Sequence, residues 1–175
     1  MSGHSKWSQI KHQKGAADQK RGQLFSKLAR VITLAARGGS DPTTNPALQS
    51  AIAQARDFDL PKENIERAIK RASDRAAAAL AQVLLQAIGP GASAIVVQAI
   101  TDNRNRTVAE IKNILTKHHA KLVPPGSLNW QFNQQWQPLN PLTLTNPADQ
   151  QKLDKLFEDL DNQPDVETIY SNLGN

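Results

Sequence analysis

The sequence predicts an α+β protein, helical through residue 75 and mixed behind it. Three observations carry this. Apolar residues recur at helical spacing up to Ala72, a β-branched run bounded by turn residues stands at 94–100, and cap signatures punctuate the remainder. Leu24, Leu28, Val31, Ile32 and Ala35 share one helical face, and Gly38-Gly39 ends that helix. Asn45-Pro46 reads as a cap with proline at the first helical position, ahead of Leu48, Ala51, Ile52 and Ala55. A third helix starts at Pro61, with Ile65, Ala68, Ile69 and Ala72 facing inward. Glu63 pairs with Arg67 and Glu66 with Lys70 at i, i+4, which accounts for those charges internally.

The segment 75–88 reads two ways. Its alanines favour helix, whereas Val83-Leu84-Leu85 before Gly89-Pro90-Gly91 suits a buried strand hairpinned to 94–100. Thr107-Val108-Ala109-Glu110 reads as a capping box opening a helix with Val108, Ile111, Leu115 and His118 on one face. Leu128, Trp130 and Phe132 alternate with polar residues as a half-buried strand would, and Leu142–Leu144 makes a short one. Asn146-Pro147 caps a last helix carrying Leu153, Leu156, Phe157 and Leu160, and 166–170 closes as a strand. From residue 93 the expected order is β-α-β-β-α-β, a ferredoxin-like domain with an extra strand ahead of it. The expected domains are 1–75, a three-helix bundle with a basic N-terminal arm, and 81–175, joined by a linker at 76–80.

The chain has 175 residues, a net charge of +5 and no cysteine, which excludes disulfides, thiolate metal sites and cysteine nucleophiles. No apolar run reaches the roughly 18 residues of a membrane span, and the N-terminus has no secretory pattern, so a cytoplasmic address without membrane contact is expected. The charge is lopsided. Up to Arg37, Lys6, Lys11, Lys14, Lys20, Arg21, Lys27, Arg30 and Arg37 face only Asp18, whereas acidic residues dominate from Thr145 onward. A basic head suits a polyanion, and lysine and arginine neutralise phosphates without reading sequence.

In the arm, Trp7 either stacks on an unpaired base or staples the arm to the bundle. Lys20, Lys27, Arg30 and Arg37 fall on one stripe, read as lying opposite the Leu24/Leu28 face, and would extend the arm into a cationic track. A second anion site is offered by Asn103, Arg104, Asn105 and Arg106 ahead of a helix. The alternative there is Arg104 paired with Asp102 in a tight loop. His118-His119 at a helix end satisfies terminal carbonyls, and His4 and His12 lack partners at metal spacing. No triad, paired-carboxylate site or phosphate-cradling loop is present in the sequence, so neither an enzyme nor a cofactor is expected.

These residues bear a further likeness. Gly3-His4-Ser5-Lys6-Trp7, Ile10-Lys11-His12, Lys20-Arg21-Gly22, Phe25-Ser26-Lys27-Leu28, Asn45-Pro46-Ala47-Leu48, the run 61–71, Thr101–Thr107 and Gly126–Trp130 closely resemble the YebC/PmpR family. The resemblance implies a cytoplasmic regulator of gene expression with a helical first domain and α/β domains behind it. Its members are described as DNA-binding transcriptional regulators and as translation factors acting on the ribosome, including at proline-rich stalls. A mitochondrial relative activates translation. It places Lys6, Trp7, Lys11, His12, Lys20 and Arg21 in the basic arm and 102–106 in the anion-binding loop, with DNA or ribosomal RNA as the partner. Two departures stand out. Only 133–143 lies where family members usually carry a further small α/β domain, and alanines at 76–80 replace a glycine-rich linker, stiffening it. The rival class is a protein-interaction adaptor that uses the acidic C-terminal helix and makes no nucleic-acid contact.

Overall fold

The computed structural model describes residues 18–174. They fall into two units, 18–81 with Ile100–Asn103, and 82–99 with 104–174.

The first unit is built on helix α1 (Asp18–Ala36), against which α2 (Pro46–Asp57) and α3 (Lys62–Arg71) both pack. Leu28 and Ile32 of α1, Leu48, Ala51, Ile52 and Ala55 of α2, and Ile65 and Ala68 of α3 form one core, as the helical spacing requires. The Asn45-Pro46 cap forms as expected: the Asn45 carboxamide oxygen accepts from the Leu48 amide (3.1 Å). Its Nδ2 also donates to the carbonyls of Ala35 and Gly39, both at 2.8 Å, so one buried side chain closes the end of α1 and the start of α2. A single helical turn, α4 (Arg75–Ala78), follows at the expected linker.

The second unit is a four-stranded sheet with two helices on one face. Strands β1 (Ala81–Ile88), β2 (Ala94–Thr101), β3 (Lys121–Val123) and β4 (Val166–Ser171) lie in the order β3-β1-β2-β4. The ambiguous 75–88 segment thus resolves into a short helix and a strand. Helices α5 (Arg104–Lys117) and α6 (Pro147–Asn162) cover the face made by Val83, Leu85, Ala87, Ile95, Val97 and Ala99. The other face buries Ala94 and Val96 under Leu128 and Phe132, which explains why β2 reads as an unbroken apolar run. Gly91, at the β1–β2 turn, has φ of +66°, a conformation that favours glycine.

The α+β class stands; the ferredoxin-like strand inventory does not. Lys121–Val123 pairs with β1, whereas Asn129–Gln131 is a 3-10 turn with Trp130 exposed (68%), and Phe132 makes only an isolated bridge to Pro138. The cause is the buried Gln86 side chain. Its oxygen accepts from the Leu128 amide (2.9 Å) and its amide donates to Asn129 (2.7 Å), supplying partners that a neighbouring strand would otherwise give. Leu142–Leu144 contributes only a single bridge, Leu142 to Leu173. Helix α5 begins three residues before the expected capping box. Thr107 lies inside it, donating to Asp165 at 2.6 Å, and Glu110 accepts from Gln163 instead of turning back to a cap.

At the other end of α5 the backbone itself satisfies the last carbonyls. Ala120 N–H reaches Leu115 O and His119 N–H reaches Thr116 O, with His119 left-handed (φ 60°) where glycine is usual. His118 instead meets α6, its Nε2 lying 2.7 Å from an Asp159 oxygen that also accepts from Lys117 Nζ at 2.8 Å. Hydrogen bonds from Lys117 and His118 hold the Asp159 carboxyl below the usual carboxylate range. A carboxyl depressed by folding stabilises the native state above its unfolded value and loses that contribution as pH falls through the folded one. Asp159→Asn is therefore expected to flatten the acid limb of a denaturant-midpoint profile. Its cost at neutral pH should stay below about 1 kcal/mol, since the group is partly solvated.

Between Phe132 and Leu142 the chain makes a tight loop in which Trp136 takes a left-handed backbone (φ 58°). Its ring stands 5.8 Å from Phe132 and 6.2 Å from Tyr170, closing the far face of the sheet. Trp136→Ser is expected to destabilise by about 1–3 kcal/mol in urea titration. A change within about 0.5 kcal/mol would show that the ring covers nothing of consequence.

Candidate nucleic-acid interface

Lys6, Trp7, Lys11, His12 and Lys14 lie outside the described residues. Lys20 and Arg21, at the start of α1, are exposed. The remaining cations of the expected stripe are not a free track. At 100° per residue the mean direction of Lys20, Lys27, Arg30 and Arg37 is only about 120° from that of the apolar face, so the stripe flanks the core instead of opposing it. Lys27, at the boundary, is 5% exposed. Arg30 donates through Nη1 to the Ile100 carbonyl (3.2 Å), and Arg37 donates to the Leu80 carbonyl (2.6 Å). Both thus hold chain segments onto α1.

The 103–106 region divides likewise. Arg106 bonds Asp165 at 3.0 Å, where Asp165 is nearly buried and also accepts from Thr107. Its charge is committed to tying α5 to the α6–β4 turn. Asn103, Arg104 and Asn105 are exposed at the start of α5. Thr101 Oγ1 accepts from the Asn103 amide at 2.9 Å, ordering the approach to the helix.

The helical unit also presents a concavity that the sequence does not announce. Along α1, Phe25, Ser26, Ala29, Arg30 and Thr33 form one wall; along α3, Asn64, Arg67, Ala68 and Arg71 form the other. These are i, i+4 and i, i+3, i+7 rows, so each wall is a single helical face. The cleft encloses about 690 Å³ and ends against Asp74, Ala77, Leu80 and Asp102. Thr33 Oγ1 lies 2.9 Å from the carbonyls of both Ala29 and Ala68, holding the two helices together at its floor.

Sequence reasoning misses Arg67 because i, i+4 spacing assigns it to Glu63, and nothing local singles out Arg71. Glu66 pairs with Lys62 at 3.6 Å, and both arginines are exposed in the cleft wall. The signal that finds them is the Asn64/Arg67/Arg71 row itself. Arg30 and Arg67 thus differ in kind. Arg30→Ala is expected to cost about 1–3 kcal/mol by removing a charged donor from the Ile100 carbonyl, while Arg67→Ala should stay within about 0.5 kcal/mol. Equal losses in urea titration would contradict the division.

Fold and cleft together define a two-unit α+β protein whose helical unit carries a cationic cleft. Comparison with known proteins gives this class a family. Residues 5–75 match the TACO1/YebC protein N-terminal domain, and residues 80–135 match the TACO1/YebC second and third domain. The chain belongs to the TACO1/YebC family, as the resemblance of its motifs implied. A probable transcriptional regulatory protein of Desulfosudis oleivorans is 50% identical over 136 residues, covering 77% of this chain and 55% of that protein. Another, from Methylacidiphilum infernorum, is 44% identical over 160 residues, 90% of this chain and 62% of its own length. The chain thus spans little more than half the length of the curated relatives it matches. The crystal structure of a conserved hypothetical protein from Aquifex aeolicus superposes with a TM-score of 0.84 at 28% identity, covering 97% of each chain. No helix among the described residues is long and apolar enough to cross a membrane.

Proposed function

We propose that this protein is a regulator of gene expression that acts by binding nucleic acid through the basic residues 4–37 and the helical unit, without catalysing a reaction. The observation that carries the reading is the charge asymmetry. The chain up to Arg37 holds eight cations against Asp18 alone, and the helical unit adds Arg67 and Arg71 on one wall of an open cleft. Such a concentration of positive charge in a short stretch of sequence is repulsive in isolation and is relieved by phosphates. Family membership, and the names of the curated relatives, agree with a regulatory role.

The chemistry favours backbone and single-strand contact over major-groove readout. Helices α2 and α3 both pack on α1, and the sequence carries no confident helix-turn-helix signature. Lysines with one tryptophan suit flexible or irregular strands, such as those of ribosomal RNA, better than a regular duplex. Exposed Arg104 and Asn105 at the start of α5 supply a second, smaller anion contact. The rival adaptor reading is weakened by Asp159, whose carboxylate is already bonded to Lys117 and His118 and so is not offered to a partner.

Exchanging Lys6, Lys11, Lys14 and Lys20 together for glutamine is expected to flatten the slope of log affinity against log salt by about 3–4 units, near one for each phosphate left without its lysine. Fluorescence anisotropy with single-stranded and duplex oligonucleotides reads that slope. An unchanged slope would favour the adaptor.

A further inference from the structure

We infer that the cleft between α1 and α3 is a binding site for one unpaired nucleotide of the bound strand, an inference that rests on the nucleic-acid reading above.

The argument is one of chemical matching. A nucleotide joins an anion, a sugar bearing hydroxyl donors and a flat base with apolar faces and polar edges. The cleft holds a counterpart to each. Arg67 and Arg71, one helical turn apart and exposed, offer planar donors suited to a phosphate. The aromatic ring of Phe25 and the small side chains of Ala29 and Ala68 give an apolar surface for a base face. Asp74, exposed and making no side-chain cap bond at the start of α4, gives an acceptor for the N–H groups of a base edge or for sugar hydroxyls. Its volume of about 690 Å³ lies within the range of about 300–1,000 Å³ typical of small-molecule pockets.

The carboxylate of Asp74 decides between this ligand and simpler ones. A surface meant only for duplex phosphates gains nothing from it, since it repels a continuous anionic backbone. A plain inorganic-anion site needs neither the volume nor the apolar wall. The cleft is also built to keep its shape. Arg30 holds the 100–103 segment, and with it Asp102, onto α1 through the Ile100 carbonyl, while Thr33 joins the helices at the floor. Preorganised walls reduce the ordering cost of binding one flat ligand.

The test is an amide NMR titration of the full chain with AMP, CMP, GMP and UMP, and separately with inorganic phosphate. A nucleotide is expected to shift the amides of Phe25, Ala29 and Ala68 saturably. The double variant Arg67→Ala/Arg71→Ala, at exposed positions that leave the core untouched, should weaken that binding at least about tenfold. The variant with glutamine at positions 6, 11, 14 and 20 should retain it. Identical shifts from inorganic phosphate alone would overturn the inference, as would nucleotide shifts unaffected by the double arginine variant. Polynucleotide binding by the wild-type chain with a silent cleft overturns it too, and leaves the wider reading standing. Mononucleotide binding at the cleft with no polynucleotide binding retains the cleft as a nucleotide site and overturns the wider reading.

Discussion

The guanidinium of Arg30 donating to the carbonyl of Ile100 is the interaction on which the candidate interface depends. A charged donor to a part-buried carbonyl contributes more than an average hydrogen bond, because leaving either group desolvated and alone is costly. This bond places a segment distant in sequence against α1 and gives the cleft the end at which Asp102 stands. Arg37 does the same for Leu80. The basic face of α1 is therefore divided: part of its charge assembles the unit, and part remains for a ligand. Charge counting alone does not separate the two, and the hydrogen-bond partners do.

What a sequence discloses here follows the range of the forces involved. The Asn45-Pro46 and Asn146-Pro147 caps act within three residues, so their side-chain bonds to Leu48 and Ala148 form as local chemistry dictates. The apolar rows of α1, α2 and α6 are equally legible, since burial is periodic along a helix. The expectations that fail depend on distant partners. Thr107 has the spacing of a cap, but Asp165, 58 positions away, takes its hydroxyl. Leu128 and Phe132 have the alternation of strand residues, yet a turn buries both its ends with the same spacing, and only Gln86 reveals which occurs. The 133–143 loop is legible as short, whereas the folding of Trp136 back onto Phe132 and Tyr170 is not.

The candidate site is less legible than the fold. Lys27 sits at the edge of the apolar face, and a helical wheel cannot say on which side of that edge a long side chain ends. Spacing alone assigns Arg67 to Glu63, although surface pairs of this kind are worth little and compete with other rotamers. The cleft itself needs α1, α3 and the 100–103 segment side by side, an arrangement that no local pattern encodes.

The central claim is that the basic N-terminal residues and the helical first unit, and not the acidic helix α6, meet nucleic acid. Ultraviolet crosslinking in living cells, followed by mapping of the nucleotide-bearing peptides, addresses it most directly. The account predicts crosslinks in peptides from residues 1–37 and 62–71. Crosslinks confined to 147–162, or none from a well-expressed chain, would contradict it.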